Sequence, residues 1–308
     1  MELLLNSASE SIETILSDNI KFDYENQLIY ILYDTQCKLS ILMKDAYNNV
    51  INKLKMANFI FKDYDSDEPE SIKKELNLKL SENDCCVLIQ SQHFRLDKYR
   101  IQIELFKRNI KVIQHVHLGI IYEDQYQHYI NGLKFSGKKY GPLAKKIKLH
   151  VDQAYNATII CQDGNILQYN DGFENAKLNI GDYSQLNNIG GTYPVGEVFT
   201  ENKTLDGVNG NLEIYAFPNI NRQLEFANPP LILKFKKSKL INLDELLLTV
   251  PDSFKPVLQR MNAAEGEILI REFGLGMNPG MGRNAPVQDI TAFERQIGMH
   301  VSLGKMHN

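Results

Sequence analysis

Two glutamates and one histidine stand in short runs rich in glycine and apolar residues. They are Glu197, Glu272 and His300, in the runs PVGEVFT (194–200), EFGLGMNP (272–279) and HVSLG (300–304). Carboxylate oxygens and imidazole nitrogens are ligands for zinc and other divalent ions, and a neighbouring glycine lets the backbone approach a bound group closely. The three residues therefore predict a divalent-metal site of the hydrolytic kind, in which the ion activates water.

Each of the three residues also has a structural interpretation when it is taken alone. Glu197 could be a surface residue of a turn, Glu272 could form a structural ion pair at a strand end, and His300 could be a hydrogen-bonded core residue. Spacing along the chain does not show that the three side chains meet. Their combination in apolar surroundings is what favours the metal site.

The elements that must position these residues differ between the two halves of the chain. Up to residue 135, apolar runs of strand length alternate with stretches at helical spacing, which predicts an α/β domain with a doubly wound, mainly parallel sheet. The predicted strands are 27–33, 59–61, 85–89 and 110–113, and the predicted helices are 39–50, 70–80, 97–108 and 119–130.

A shift in composition towards Gly, Lys and Pro at 136–148 is interpreted as a solvated linker. The predicted domains are therefore 1–140, which is α/β, and 141–308, an α+β domain that carries the candidate metal site. The second domain is expected to contain a hairpin at 157–169, a glycine-rich turn at 190–191 and a strand at 229–236. It is also expected to contain a mainly helical stretch at 243–264 interrupted by prolines, and strands at 268–272 and 300–303 flanking a short helix at 287–296.

The bulk properties of the 308-residue chain exclude several classes of protein. A net charge of −4 gives no electrostatic case for binding nucleic acid. The start MELLLN does not have the pattern of a signal peptide, and no apolar run has the length of a membrane helix. The four cysteines lack C-x-x-C spacing, which indicates reduced core thiols. We expect a cytoplasmic protein with neither nucleic acid nor membrane as a partner.

The segments around the three candidate ligands resemble the thermophilic-aminopeptidase family, of the leucyl aminopeptidase T and S type. The resemblance rests on GEVFT (196–200), EFGLGMNP (272–279) and HVSLG (300–304), with weaker likeness at 90–95 and 112–118. It covers most of the chain. It implies an α/β N-terminal domain, a C-terminal domain with a two-metal site that hydrolyses N-terminal peptide bonds, and a homodimer that encloses its active sites.

The resemblance also implies roles for individual residues. Glu197, Glu272 and His300 fall on metal ligands, and Glu272 would bridge both ions. Seven positions after that histidine the family has a catalytic tyrosine, where this chain has His307; a histidine there could stabilise an oxyanion or move a proton. Glu272 and His307 are thus the implied catalytic residues. Zinc, cobalt or manganese is the expected ion, and iron(II) is the alternative because related folds use one iron for oxidative ring cleavage.

Two further ligands of the family, a downstream His-x-Asp pair, have no counterpart before Asn308. The His-x-Asp at 150–152 lies near the predicted domain boundary, in the wrong place. We expect either that the natural chain continues or that the site is degenerate and holds one ion or none. Two functions therefore stay open: a metal-dependent peptide hydrolase or close derivative, and a non-catalytic accessory protein that binds peptides.

A second pair of histidines, His115 and His117, alternates along a predicted strand. Both rings are therefore expected on one face, an arrangement that suits metal binding. The resemblance places this run at a strand end of the N-terminal domain, away from the catalytic centre. A structural or interdomain role is favoured.

Overall fold

The computed structural model describes residues 1–96, 98–183 and 189–304, and over these residues the chain forms two compact units. The first unit comprises Met1–Gly137, Asn179–Gly196 and Asn278–Ala292, and the second comprises Lys138–Leu178, Glu197–Met277 and the chain from Phe293 onward. The predicted boundary between two domains at residue 140 stays a prediction.

The first unit contains a five-stranded parallel sheet. Its strands are β1 (Ile29–Tyr33), β2 (Phe59–Asp63), β3 (Cys85–Ile89), β4 (Lys111–His115) and β8 (Gly190–Tyr193). They lie in the order β2-β1-β3-β4-β8, and each neighbouring pair is parallel. From β1 the chain first adds β2 on one side and then β3, β4 and β8 on the other, so a topological switch point of the kind found in open α/β sheets lies between β1 and β3. The predicted parallel sheet with helices is confirmed.

Over its described residues up to 136, the first unit also contains five α-helices. They are α1 (Glu2–Thr14), α2 (Lys38–Leu54), α3 (Pro69–Lys79), α4 (Ile101–Phe106) and α5 (Tyr126–Leu133). Ile72 of α3 and Leu105 of α4 pack in one core with Leu32 of β1. His115 at the end of β4 instead contacts Tyr47 of α2.

Two predictions for the first unit are wrong. Residues 119–130 do not form one helix: short 3-10 turns at Leu118–Ile120 and Glu123–Gln125 precede α5, and the extended backbone of Ile121 and Tyr122 between them interrupts the helix. Residues 190–191, predicted as a turn, begin β8. A Cβ at Gly190 would lie 2.0 Å from the Val112 carbonyl oxygen, so glycine is needed for the close pairing with β4.

The second unit is rich in antiparallel strands. One sheet comprises β5 (Ala157–Ile160), β6 (Ile166–Tyr169), β10 (Val208–Pro218), β11 (Leu224–Lys236) and β12 (Lys239–Leu240). The other comprises β7 (Lys177–Asn179), β9 (Glu197–Glu201), β13 (Ile270–Gly276) and β14 (Gly298–Leu303). The strand orders are β12-β11-β10-β6-β5 in the first sheet and β14-β13-β9-β7 in the second. The predicted hairpin at 157–169 is formed by β5 and β6.

Helices α7 (Leu243–Thr249) and α8 (Lys255–Glu265) confirm the predicted helical stretch interrupted by prolines. The predicted linker at 136–148 is wrong, because residues 137–153 form helix α6 (Gly137–Gln153). Gly141 and Ala144 of α6 are buried, whereas Lys138, Lys139, Lys145 and Lys146 are exposed. The predicted helix at 287–296 is reduced to α9 (Ile290–Phe293).

Two features follow from this fold. Within the described residues, no helix combines the length and apolar character that crossing a membrane requires. All four cysteines are free thiols, and Cys85 and Cys86 are buried in β3.

Candidate functional site

Strands β9, β13 and β14 bring the three predicted ligands to one face of their sheet. In the strand register, Glu197 lies opposite Gly276 and His300 lies opposite Gly274. Directly opposed residues share a face of a sheet, and so do residues two apart along one strand. Glu197, Glu272 and His300 therefore project from the same side, although they are far apart in the sequence.

Gly274 provides the space for the His300 ring. A Cβ at position 274 would lie 2.0 Å from Nε2 of His300 and 2.2 Å from its Cε1. The imidazole therefore lies directly against the backbone of β13. Glycine at this position of the EFGLG run is needed for space.

The imidazole faces both carboxylates. Nε2 of His300 is 3.4 Å from Oε1 of Glu272 and 3.7 Å from Oε2 of Glu197. The exposed fraction of the side chain is 13% for His300, 14% for Glu272 and 5% for Glu197. Among the described residues neither ring nitrogen of His300 makes a hydrogen bond, so these contacts have ion-pair distances without hydrogen-bonding geometry. Buried polar atoms usually have a hydrogen-bond partner, so these two nitrogens make the cluster a candidate functional site.

Arg295 belongs to the same cluster, although no sequence motif pointed to it. Its Nη2 is 3.0 Å from Oε1 of Glu197, and 12% of its side chain is exposed. Its Nη1 donates a hydrogen bond to Oε1 of Glu294. The sequence signal was a single basic residue shortly before His300, and one charge in the sequence does not distinguish a buried arginine from a surface one.

The residue types of this cluster are ones that bind divalent ions. Ligands of a tetrahedral zinc ion at 2.0–2.2 Å are separated by about 3.3–3.6 Å, and the His300–Glu272 contact of 3.4 Å lies in that range. The His300–Glu197 contact of 3.7 Å is slightly longer, and the other oxygen of Glu197 is held by Arg295, as metal-bound carboxylates commonly are held by a neighbour. In the part of the chain that the structure describes, no three or more His, Cys, Asp or Glu side chains already form a metal-binding group. A bound ion would require these donors to converge further.

The remaining predicted residues have different outcomes. His307 lies outside the described residues, so its catalytic role stays a prediction. His150 is an exposed residue of α6. Asp152 accepts hydrogen bonds from Nζ of Lys148 and from the backbone N–H of Ala176, both at 2.7 Å, which is a structural role.

His115 and His117 do not form a pair on one face. β4 ends at His115, and the backbone of His117 is left-handed with φ 55°, so the strand alternation does not continue. Nε2 of His115 is 3.0 Å from Oη of Tyr47, and its Nδ1 is 2.9 Å from Oη of Tyr129. Burial lowers the pKa of His115 to about 3. His117 instead lies 3.3 Å from Oδ1 of Asp289 through its Nδ1.

Asn278, within the EFGLGMNP run, has a structural role in the first unit. It is fully buried, and its Nδ2 donates to the carbonyl oxygens of Gly132 at 2.8 Å and Val195 at 2.7 Å. Its Oδ1 accepts the backbone N–H of Gly280 at 2.9 Å. Asn278 therefore links this part of the run to the backbone at Gly132 and Val195 of the same unit.

Comparisons with known proteins show a likeness of fold. The solved structure of wild-type AmpT from Thermus thermophilus is similar to this chain, with a TM-score of 0.54 and 12% sequence identity, over 97% of this chain and 85% of that one. AmpT is a thermophilic aminopeptidase. No protein-family model matches the chain, and no curated protein matches it.

Proposed function

We propose that this protein is a metal-dependent peptide hydrolase of the aminopeptidase kind, with its active site at Glu197, Glu272 and His300. The observation that carries the proposal is the buried Nε2 of His300, which lies 3.4 Å and 3.7 Å from one oxygen of each carboxylate. The resemblance of the surrounding segments to aminopeptidases supports it. The fold shared with AmpT is a second, coarser support.

In this proposal, His300 Nε2 and one oxygen each of Glu197 and Glu272 would hold a zinc, cobalt, manganese or iron(II) ion. When bound, the ion lowers the pKa of water and polarises the scissile carbonyl. The second oxygen of Glu272 would accept the proton of the attacking water. The carboxylates would also attract the N-terminal ammonium group of a peptide, and His307 is proposed to deliver a proton to the leaving group.

Metal content and peptide cleavage test this proposal together. Chelator-free protein would be offered each ion in turn, and the release of N-terminal residues from peptides would be followed. Wild-type protein should retain metal and cleave, and Glu272→Gln should fold normally and lose at least about 100-fold in rate, as loss of a general base does. Glu267→Gln is a matched control, because this glutamate of the same unit pairs with Lys239 at 2.5 Å and lies outside the site. If wild-type protein retains none of the ions, the proposed hydrolase function is refuted.

A non-catalytic peptide-binding protein is the second candidate. It is favoured by Arg295, whose guanidinium supplies positive charge at Glu197 without any metal. Chelator-treated protein would then bind a fluorescent peptide through its N-terminal ammonium. Acetylation of that terminus, or Glu272→Gln, should weaken binding about tenfold or more, with no cleavage in any sample. Equal binding of free and acetylated peptides would count against this candidate.

Three further expectations belong to the same proposal. They are the doubly wound arrangement of the first unit, a homodimer and a cytoplasmic location. Sedimentation of the purified protein at two concentrations would test the homodimer.

A further inference from the structure

Arg295 lies between two carboxylates, as a bound cation would. Its Nη2 is 3.0 Å from Oε1 of Glu197, and its Nη1 donates to Oε1 of Glu294. The arginine and Glu197 are 12% and 5% exposed, and Glu294 is 30% exposed. We infer that the Arg295 guanidinium fills a second cation position of this site, so that the site accepts one divalent ion, at His300. The inference rests on the proposed function, because that function supplies the ion at His300.

The charges of the cluster favour one ion. Glu197, Glu272 and Glu294 carry three negative charges and Arg295 carries one positive charge, so one divalent ion brings the cluster to neutrality. A second divalent ion would leave two uncompensated positive charges among largely buried side chains. Uncompensated charge in such surroundings is strongly unfavourable.

The contacts of Glu197 favour the same conclusion. Its Oε2 faces His300 at 3.7 Å, while its Oε1 is taken by Arg295 at 3.0 Å. A guanidinium has several donors in a fixed planar arrangement and stays charged at every physiological pH. It is therefore a permanent substitute for a cation at Oε1. A neutral side chain at 295 would leave Oε1 of Glu197 and Oε1 of Glu294 without the guanidinium between them.

Cobalt stoichiometry tests the inference without any activity assay. Metal-free protein would be titrated with Co²⁺, with visible absorption reporting coordination and native mass spectrometry counting the ions. Wild-type protein and Arg295→Lys, which keeps the positive charge, should each bind one ion. Arg295→Gln should bind two. The double variant Glu294→Gln/Arg295→Gln, which lacks one of the two released carboxylates, should return to one.

Arg271→Gln is the matched control. Arg271 is an arginine of the same sheet whose Nε donates to Oε2 of Glu201 at 2.6 Å, and this pair is separate from the Arg295 contacts. The variant should bind one ion, as wild-type protein does. Circular dichroism would establish that each variant is folded. If Arg295→Gln does not fold, the wild-type count decides alone: one ion supports the inference and two overturn it.

The outcomes separate the inference from the proposed function. Two ions in wild-type protein overturn the inference and leave the hydrolase standing. One ion in both wild-type protein and Arg295→Gln also overturns the inference. If wild-type protein binds no ion, the proposed hydrolase function is refuted. In that case, metal binding by Arg295→Gln alone would still support the inference that the guanidinium occupies a cation position. Absence of binding by that variant as well would overturn the inference.

Discussion

The imidazole of His300 and the backbone of Gly274 lie so close that no side chain fits between them. They face each other across β13 and β14, and a Cβ at 274 would be 2.0 Å from Nε2. The position of the ring on the sheet, and hence its distance to both carboxylates, depends on this glycine.

Gly274→Ala should displace the His300 ring. We expect a loss of about 1–3 kcal/mol in the free energy of unfolding, since overpacking forces neighbouring groups to move. Metal retention should fall as well, because Nε2 leaves the two carboxylates. Urea unfolding and metal analysis of the purified variant measure the two effects.

A double variant shows whether the ring is the cause. In Gly274→Ala/His300→Ala the added methyl group does not contact an imidazole. Gly274→Ala should therefore reduce the free energy of unfolding clearly less in the His300→Ala background than in wild-type protein. Costs that agree within about 0.5 kcal/mol would show that the two residues do not interact.

Asn278→Asp should destabilise the protein by about 3 kcal/mol or more. The substitution replaces an amide that donates to the carbonyl oxygens of Gly132 and Val195 by a carboxylate that cannot donate. Chemical denaturation measures the effect. The same change at the exposed Asn221 should stay within about 0.5 kcal/mol, and similar losses at both positions would contradict the structural role of Asn278.

Acid should weaken the fold through His115. Burial lowers its pKa to about 3 in the folded protein, while an unfolded histidine has a pKa of about 6.5. Between these values the unfolded chain binds a proton that the folded protein does not. The free energy of unfolding therefore falls as the pH falls below about 6.5, by up to about 1.4 kcal/mol per pH unit from this group.

Urea unfolding between pH 7 and pH 4.5 would measure the contribution of His115. His115→Gln should flatten the dependence on pH, whereas the same substitution at the exposed His150 should leave it unchanged. Identical slopes for wild-type protein and His115→Gln would refute the assignment.

Two of the four thiols should resist modification in the folded protein. Burial raises the pKa of Cys85 to about 12 and raises that of Cys86 well above its ordinary value, while Cys37 and Cys161 are partly exposed. Thiolates are the reactive form. An aromatic disulfide reagent at pH 8 should therefore label at most two cysteines before denaturation and four after it. Cys161→Ser should reduce the native count by one, and labelling of Cys85 under native conditions would be inconsistent with its burial.

The parallel sheet was accessible from the sequence because β1, β3 and β4 are short apolar runs bounded by polar residues. β8 was not accessible, since Gly190 and Gly191 have low strand propensity and serve a close approach of two backbones. Helix α6 was missed for a related reason. Local charge, glycine and Pro142 indicated a linker, whereas the burial of Ala144 favours the helix.

The three candidate ligands were identified from residue type and resemblance. Their convergence depends on the register of β9, β13 and β14, which spacing along the chain does not encode. Arg295 was missed because its role arises only when the residues before β14 carry its guanidinium to Glu197. The candidate ligands of a site are therefore easier to predict from the sequence than the charged side chains that neutralise them.

Over the described residues the chain passes between its two units five times, and one passage falls between Gly196 and Glu197. No contiguous gene fragment encodes either unit. A library of randomly truncated genes should therefore yield well-expressed protein only near full length. Recombination with a related gene would have to exchange several separate segments to replace one unit and leave the other intact.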